Sequence, residues 1–339
     1  MNKNLITVAI SDAIAQRFGV QPGERQISAY LGDAESGVAF MISQIAYLEQ
    51  QIYEVKYADI VFDQLVPMDT NIPEGAASVA YRSYDGATIG KFLGARADDI
   101  PLVAAEAQIH TVPLGYSGIG TNYSLDEART AALTGMPLDA AQARIAYRGA
   151  RMHQQNVVLF GDASRGMYGL LNHPNVTKTN STVDWATANI DAIVGEINDA
   201  ISTVWVNSKQ RFLPNTLLID GARYAKLVNR KISEAGNVSA LKYLMENNLY
   251  KVQTNKDLEI RPIPHVAADV LAANGVSNGG KARMVAYEKH IDNLKAYMPI
   301  PPRFVAPQLI NLHIITPMEY KNSGTEFIYP TSAIYIDAM

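Results

Sequence analysis

Histidine is a common metal ligand in proteins, so the spacing of the histidines is the first test for chemistry in this sequence. The chain contains His110, His153, His173, His265, His290 and His313. No two of them are four residues apart and no HExxH sequence occurs, so no helical face presents a zinc-binding pair. Cysteine is absent, which excludes disulfides, thiolate metal sites and a cysteine nucleophile. We expect no metal centre and no cofactor.

A second candidate for chemistry begins at Gly275 and ends at Lys281, where the sequence fits the G-x-x-x-x-G-K pattern of a phosphate-binding loop. Ala282 follows, where the pattern needs the Ser or Thr that holds magnesium. The segment before it, AADVLAAN, is typical of a helix, and the segment after it, ARMVAYE, is typical of a strand. This order is the reverse of the one the motif requires. A nucleotide-using enzyme built on this loop remains the alternative from another class.

The sequence also lacks the usual patterns of a serine nucleophile and of an acid–base pair. Ser117 and Ser164 lie in GYSGIG and GDASRG, and neither is the G-x-S-x-G elbow. The Asp98–Asp99 pair lies in polar loop sequence and is interpreted as solvated charge. The sequence therefore predicts that the protein is not an enzyme.

Composition limits the remaining classes. The chain has 339 residues, 48% hydrophobic and 18% charged, with a formal net charge of −4. Such a chain can bury a full core, and its charge argues against a general nucleic-acid binder. The N-terminus lacks the features of a signal peptide and no apolar run is long enough to span a bilayer, so we expect no membrane association and a cytoplasmic location. Tyrosine outnumbers phenylalanine 18 to 8, a mild signal for interfaces.

The first third of the chain combines one helical stripe with strand-like segments. Apolar residues at spacings of three and four predict a helix over 38–55, packed either on its own core or on a neighbouring subunit. Strands are predicted over 58–66, 77–84 and 104–112. The stretch 68–122 has few apolar anchors, and an isolated ribbon is marginal in water. It must lie on this chain's core or on another chain.

A long helix is predicted next. The sequence Ser-Leu-Asp-Glu at 124–127 is a capping box that begins a helix, and after an interruption at 135–137 a second helix reaches about residue 160. Its predicted inner stripe is Leu138, Ala141, Ile145, Gly149 and Met152. A different face carries three arginines, which we interpret as a solvated or subunit-facing surface: Arg144, Arg148 and Arg151.

The C-terminal half mixes helices and strands without a regular alternation, so the predicted class is α+β. Helices are expected at 184–206, 222–230, 239–247 and 266–273. Strands are expected at 216–220, 258–263, 282–288, 309–316, 326–329 and 333–336. The last strands are expected to return to the region of the long helix.

This order of elements resembles the major capsid proteins of tailed bacteriophages with the HK97-type fold. The likeness rests on segments 58–67, 124–175 and 319–337, above all on ARMHQQNVVLFGDASRGMYGLLN at 150–172 and TEFIYPTSAIYID at 325–337. It extends over nearly the whole chain and concerns organisation, since this family has no short catalytic motif. The nearest rival is an encapsulin, the shell of a bacterial compartment with the same fold.

The resemblance implies a role for each segment. It divides the chain into an N-terminal arm, an E-loop with flanking P-domain strands, a P domain with the spine helix, an A domain, and C-terminal strands that return to the P domain. The limits of these segments are 1–57, 58–122, 123–184, 185–305 and 306–339.

The resemblance also implies partners and contact residues. The protein would form hexamers and pentamers of an icosahedral head around double-stranded DNA bound without sequence specificity, with scaffold, portal or decoration proteins as further partners. It would assemble in the bacterial host cytoplasm. Arg144, Arg148 and Arg151 would lie on the spine helix and contact other subunits. Lys91 lies in the segment where some relatives form a covalent cross-link, but no partner asparagine is identified and non-covalent contacts are expected.

Overall fold

A computed structural model describes residues 59–85, 106–134, 138–232, 238–276 and 278–337. The chain divides into two compact units, residues 1–57 and 58–339, and every described residue lies in the second. The helix predicted over 38–55 and the candidate contact residue Lys91 lie outside the described residues.

The described residues form helices and strands without a regular alternation along the chain. The α-helices are α1 Phe62–Leu65, α2 Leu125–Thr134, α3 Leu138–Phe160, α4 Ile190–Asn207, α5 Gly221–Asn229, α6 Ala240–Glu246, α7 Leu249–Thr254 and α8 Ala268–Ala273. The strands are β1 Met68–Asp69, β2 Ser78–Asp85, β3 Glu106–Pro113, β4 Gly115–Ser124, β5 Gly161–Asp162, β6 Met167–Tyr168, β7 Thr177–Asn180, β8 Thr216–Ile219, β9 Glu259–Pro262, β10 Arg283–Tyr287, β11 Leu294–Tyr297, β12 Ile300–Phe304, β13 Gln308–Ile310, β14 His313–Asn322, β15 Thr325–Phe327 and β16 Ala333–Asp337.

The first described element corrects the strand predicted over 58–66. These residues include the short helix α1, in which Phe62 and Leu65 are fully buried. A spacing of three places both side chains on one helical face, toward the core. The Arg151 guanidinium lies 4.4 Å from the centre of the Phe62 ring, so α1 is held against the long helix α3.

The predicted ribbon is confirmed. Strands β2 and β3 pair antiparallel from Ser78 opposite Pro113 to Asp85 opposite Glu106. We call these two strands the ribbon. At its root a small apolar cluster joins it to β11, since Val112 and Leu114 pack with Tyr297.

The capping box is also confirmed. The Ser124 hydroxyl accepts a hydrogen bond from the Glu127 amide at 3.1 Å, and the Glu127 carboxylate accepts one from the Ser124 amide at 2.8 Å. Both bonds satisfy donors that a helix start leaves open. Helix α2 begins there, and α3 follows and ends at Phe160, as expected.

The inner face of α3 differs from the predicted stripe. Ala146 and Ala150 are buried against Met318 and Tyr320 of β14, whereas Ile145 is 65% exposed. The helix lies so close to the sheet that a Cβ on Gly149 would be 3.0 Å from Ile119. Only small side chains fit this contact, so the larger apolar residues point away from it. Met152 is also exposed.

Two sheets carry most of the fold. In one, β4 pairs along its whole length with β14, and β12 and β13 pair with the opposite edge of β14. The other has the order β7-β16-β10-β8-β9 and is covered on both faces. Alternate residues of β10 point to opposite sides, with Val285 in one apolar cluster and Met284 in the other, beside α4.

Several element limits differ from the prediction. Helix α4 begins at Ile190, because Asn189 caps it and Asp184 lies in a separate turn. Its isoleucine stripe is buried as predicted. The strand expected over 309–316 is a hairpin, because Asn311 takes a left-handed conformation with φ 55° and reverses the chain. Strands β1, β4, β5, β6, β7, β11 and β12 and helix α7 were not predicted.

The C-terminal strands lie in different sheets. Strand β14 packs on α3 as expected, and the Tyr320 hydroxyl is 3.0 Å from His153 Nδ1. Strand β16 pairs instead with β10 and β7. The segment limits drawn from the resemblance stay predictions.

Candidate assembly surfaces

The sequence Gly-Leu-Leu-Asn at 169–172 closes the end of the long helix. The amides of Leu170 and Leu171 donate to the carbonyls of Val158 and Leu159, each at 2.9 Å. These carbonyls are in the last turn of α3, where a helix has no partners of its own. A Cβ on Gly169 would lie 2.3 Å from the Leu159 carbonyl atoms, so only glycine allows this approach.

Asn172 fixes the same loop with both ends of its side chain. Its Oδ1 accepts from the Gly169 amide at 2.7 Å, and its Nδ2 donates to the Phe160 carbonyl. This segment, on which the resemblance chiefly rests, therefore has a structural role, because it binds the last carbonyl groups of α3. It sets the direction in which the chain leaves the helix.

A buried ion pair holds this loop to the five-stranded sheet. Arg283 is fully buried, and its Nε and Nη2 donate to the two carboxylate oxygens of Asp337 at 2.6 and 2.9 Å. Its Nη1 donates to the Leu171 carbonyl. The guanidinium also lies 4.7 Å from the centre of the Tyr335 ring. One side chain thus joins β10, β16 and the loop.

The ribbon root carries a partly buried polar contact. The Tyr81 hydroxyl donates to Glu326 Oε1 at 2.8 Å, and the Tyr81 ring stacks on His110 with centres 5.0 Å apart. Burial raises the pKa of Glu326, which the hydrogen bond from Tyr81 partly offsets. This contact joins the ribbon to β15 of the same chain.

An exposed ionic network supports the chain just before the ribbon. Arg303 donates to both carboxylate oxygens of Glu74, at 2.8 and 2.7 Å, and to Glu319 at 2.8 Å. Tyr116 donates to the other oxygen of Glu319 at 2.7 Å. Hydrogen bonds from Arg303 lower the pKa of Glu74, and those from Tyr116 and Arg303 lower the pKa of Glu319.

The outer face of α3 contains the three arginines that the sequence placed together. Arg151 forms a 2.7 Å ion pair with Asp63, so it links α1 and α3 within the chain. Arg144 is exposed and Arg148 is half-buried on the same side of the helix. Ile145 adds an exposed apolar side chain next to Arg144. Whether these residues contact another subunit stays a prediction.

A surface that sequence reasoning missed is the tip of the β13–β14 hairpin. We call residues 304–313 the hairpin tip. Every residue in it is exposed, and the large apolar ones are Phe304, Val305, Leu309, Ile310 and Leu312. Leu309 and Ile310 are neighbours on one strand and so point to opposite faces, which means that both faces of the tip expose apolar surface. The Asn-Leu pair inside an apolar run was the available signal for the turn.

The other candidates for chemistry do not come together. Among the described residues no group of three or more His, Asp or Glu side chains could hold a metal ion. Around the phosphate-loop pattern, helix α8 precedes and strand β10 follows, which is the reversed order noted in the sequence. Within the described part of the chain, no helix combines the length and apolar character needed to cross a membrane.

Comparisons with known proteins agree with this picture. A family model described as "Major capsid protein" matches residues 90–339. A search of curated proteins finds no match. The fold is similar to the capsid of Myoviridae phage XM1, with 13% identity, a TM-score of 0.72 and coverage of 88% of this chain and 98% of that chain.

Two further capsid structures are similar. For Mycobacterium phage Ogopogo the identity is 11% and the TM-score 0.58, over 89% of this chain and 98% of that chain. For the capsid of the native GTA particle the identity is 10% and the TM-score 0.60, over 92% and 99%. These likenesses confirm the predicted α+β fold of the HK97 type. Since the family model spans well over half of the sequence, the chain belongs to the major capsid protein family of phage-type shells.

Proposed function

We propose that this capsid protein assembles with copies of itself into hexamers and pentamers, and that these form an icosahedral head around double-stranded DNA. Its work is structural, with no catalytic step. Assembly would take place in the cytoplasm of the bacterial host, with scaffold, portal or decoration proteins as additional partners of the shell. DNA would be held without sequence specificity, in keeping with a net charge of −4.

The observation that carries the proposal is the hairpin tip. A soluble monomer rarely exposes a contiguous apolar patch without a partner for it. Here both faces of a two-stranded tip are apolar, and Leu312 is 70% exposed. In a family of shell proteins the partner that covers such a surface is another copy of the chain.

Two other surfaces support the same conclusion. The ribbon extends from the body on a small root cluster, so the strands beyond that root have little own-chain core to cover them. The outer face of α3 adds Arg144, Arg148 and Ile145 as contact residues. We assign the ribbon to the E-loop, α3 to the spine helix and Lys91 to the E-loop segment, within the segment limits given above.

Electron microscopy and sedimentation of the purified full chain test the proposal. We expect closed shells or pentamers and hexamers. A stable monomer at high concentration and across salt conditions would contradict it.

A pair of variants tests the hairpin tip itself. Leu312→Asp places a charge on the exposed tip, so it should leave helix content and melting temperature at parental values and prevent shells from forming. Val252→Asp is the matched control, because Val252 is 75% exposed on α7, which packs on α4. A specific role of the tip in assembly would be contradicted if Leu312→Asp formed shells at the parental yield, or if both variants lost them.

The contents of purified particles separate a phage head from an encapsulin-type compartment. Nucleic acid inside the particles supports the head, and a packaged enzyme supports the compartment. A nucleotide-binding titration with a Lys281→Ala control tests the enzyme alternative, for which the reversed order of α8 and β10 leaves no structural support.

A further inference from the structure

A single carboxylate lies between the ribbon and the body of the molecule. Glu326 Oε1 accepts the hydrogen bond from Tyr81 of the ribbon, at 2.8 Å. Its other oxygen, Oε2, lies 3.9 Å from His173 Nε2, which belongs to the loop after β6. That second distance is too long for a hydrogen bond. The carboxylate therefore has one bonded partner on the ribbon and one unbonded neighbour on the body.

His173 is buried next to Glu326, and two aromatic rings fix its position. It is 3% exposed, and its ring packs against Tyr168 and Phe327 with centres 5.6 and 5.2 Å apart. Burial lowers the pKa of His173 to about 4, so the ring is neutral at neutral pH. A neutral imidazole has one nitrogen that accepts a hydrogen bond. Its Nδ1 has no hydrogen-bond partner.

Several other groups face this carboxylate, and together they set its charge. They are Tyr81 and His110 from the ribbon, His173 from the loop, and Tyr297 and Lys295 from β11, with Lys295 paired to Asp69 of β1. Burial raises the pKa of Glu326 above its ordinary value, while the Tyr81 hydrogen bond and His110 act in the opposite direction.

We propose that Tyr81, Glu326 and His173 form a proton-operated latch that, in addition to the apolar root cluster, holds the ribbon at Tyr81 and releases this contact when Glu326 takes up a proton. In the latched state the ionised carboxylate accepts from Tyr81, and a hydrogen bond to a charged acceptor is roughly twice as strong as a neutral one. In the released state the carboxylic acid donates its new O–H to His173 Nε2. The proton comes from solvent, and no other group changes charge.

The geometry allows both states. Closing the contact from 3.9 Å to a hydrogen-bond length of roughly 2.8 Å needs a movement of only about 1 Å by the carboxyl group, toward the body. Beside the group is a cavity of about 170 Å³ between the ribbon root and the loop, and Glu326 and His173 both line it. The released state exists between the pKa of Glu326 and that of His173, since below about pH 4 the imidazole is protonated and no longer accepts.

Distance measurements between spin labels test the latch in the full chain. The sequence has no cysteine, so Gln108→Cys on the ribbon and Ala163→Cys on the body, both exposed, can be labelled specifically. Labelled protein is mixed with an excess of unlabelled protein so that only distances within one chain are read. We expect one narrow distance at neutral pH and a second, longer population that grows as the pH is lowered toward about 4, where His173 becomes protonated.

Three variants in the labelled background decide the cause. Glu326→Gln cannot ionise, so the change in distance as the pH is lowered should disappear. Tyr81→Phe removes the ribbon's donor, so the longer population should be present at neutral pH. Glu319→Gln is the matched control, because Glu319 also accepts from a tyrosine hydroxyl, at 2.7 Å, but lies on the exposed sheet surface. It should keep the parental pH dependence.

The same measurements can overturn the latch. An unchanged distance in the parent across this pH range would do so, as would a parental pH dependence in Glu326→Gln. If Glu326→Gln does not fold, Tyr81→Phe decides alone, and a parental distance at neutral pH would then refute the latch. Each result is independent of shell formation, so it is distinct from a failure of the proposed assembly.

Discussion

Replacing Arg283 by methionine removes the cation that joins β10, β16 and the loop after the long helix. Methionine has an unbranched side chain like the apolar part of arginine, so it keeps the packing of that part. It leaves Asp337 almost fully buried with no positive partner, and it leaves the Leu171 carbonyl without its donor.

The magnitude follows from these two losses. Removing one partner of a buried ion pair costs about 3–5 kcal/mol, and an unsatisfied buried carbonyl costs about 1–3 kcal/mol more. For a unit of this size, a loss of 1 kcal/mol lowers the melting temperature by about 2 °C. The expected decrease for Arg283→Met is therefore roughly 8–16 °C, measured by thermal unfolding of the unassembled protein.

A double variant separates the ion pair from the packing. In Arg283→Met with Asp337→Leu no charge is left behind, and a buried pair replaced by apolar residues of similar volume is often neutral in stability. We expect the double variant to recover most of the loss and to stay slightly below the parent because of the Leu171 carbonyl. The reasoning is refuted if the single variant melts within about 2 °C of the parent, or if the double variant is as unstable as the single.

Three further outcomes are expected. Gly169→Ala should give insoluble protein, because its Cβ would overlap the Leu159 carbonyl. Gly195→Ala is the control: its Cβ meets open space within α4, so it should raise the melting temperature slightly. Solubility and thermal unfolding measure both effects. Ala146→Asp should prevent folding and Ile145→Asp should not, since only the first is buried, and circular dichroism with electron microscopy should show folded Ile145→Asp that assembles poorly. Replacing residues 86–105 by Asn-Gly joins two directly paired strands, so we expect a folded protein without closed shells; parental shells would contradict the E-loop assignment.

Local signals in the sequence were sufficient where a short-range contact forms the element. The capping box at Ser124 needs only Glu127, three residues away, and the stripe of α4 needs only its own spacing. The alternation in β2 likewise predicted the ribbon. The spacing of these residues was enough to identify each element, although the start of α4 was predicted six residues too early.

Tertiary packing decided the elements that were predicted wrongly. The stretch around Phe62 is rich in strand-forming residues, yet Arg151 and the core hold it as a helix. On α3 the largest apolar residues were assigned to the core, but the close approach of β14 admits only Ala146 and Ala150. The sequence of α3 alone does not determine how closely the sheet packs against the helix.

The surfaces were predictable to different degrees. Helical spacing alone grouped Arg144, Arg148 and Arg151 on one side. The hairpin tip was hidden inside a segment interpreted as one strand, because Asn311 was not recognised as a reversal point. The Tyr81–Glu326 contact joins residues 245 positions apart, and such a contact has no local signature.

The position of β16 within its sheet has a consequence for how the chain folds. Among the described elements it is the last to leave the ribosome, yet it lies between β7 and β10 and pairs with both. Until it arrives, those two strands present open edges, which are sites of mispairing between chains. The nascent protein is therefore at risk of aggregation until β16 has emerged. The same delay means that the sheet, the ion pair between Arg283 and Asp337 and the loop joined to that arginine are completed together, when β16 pairs.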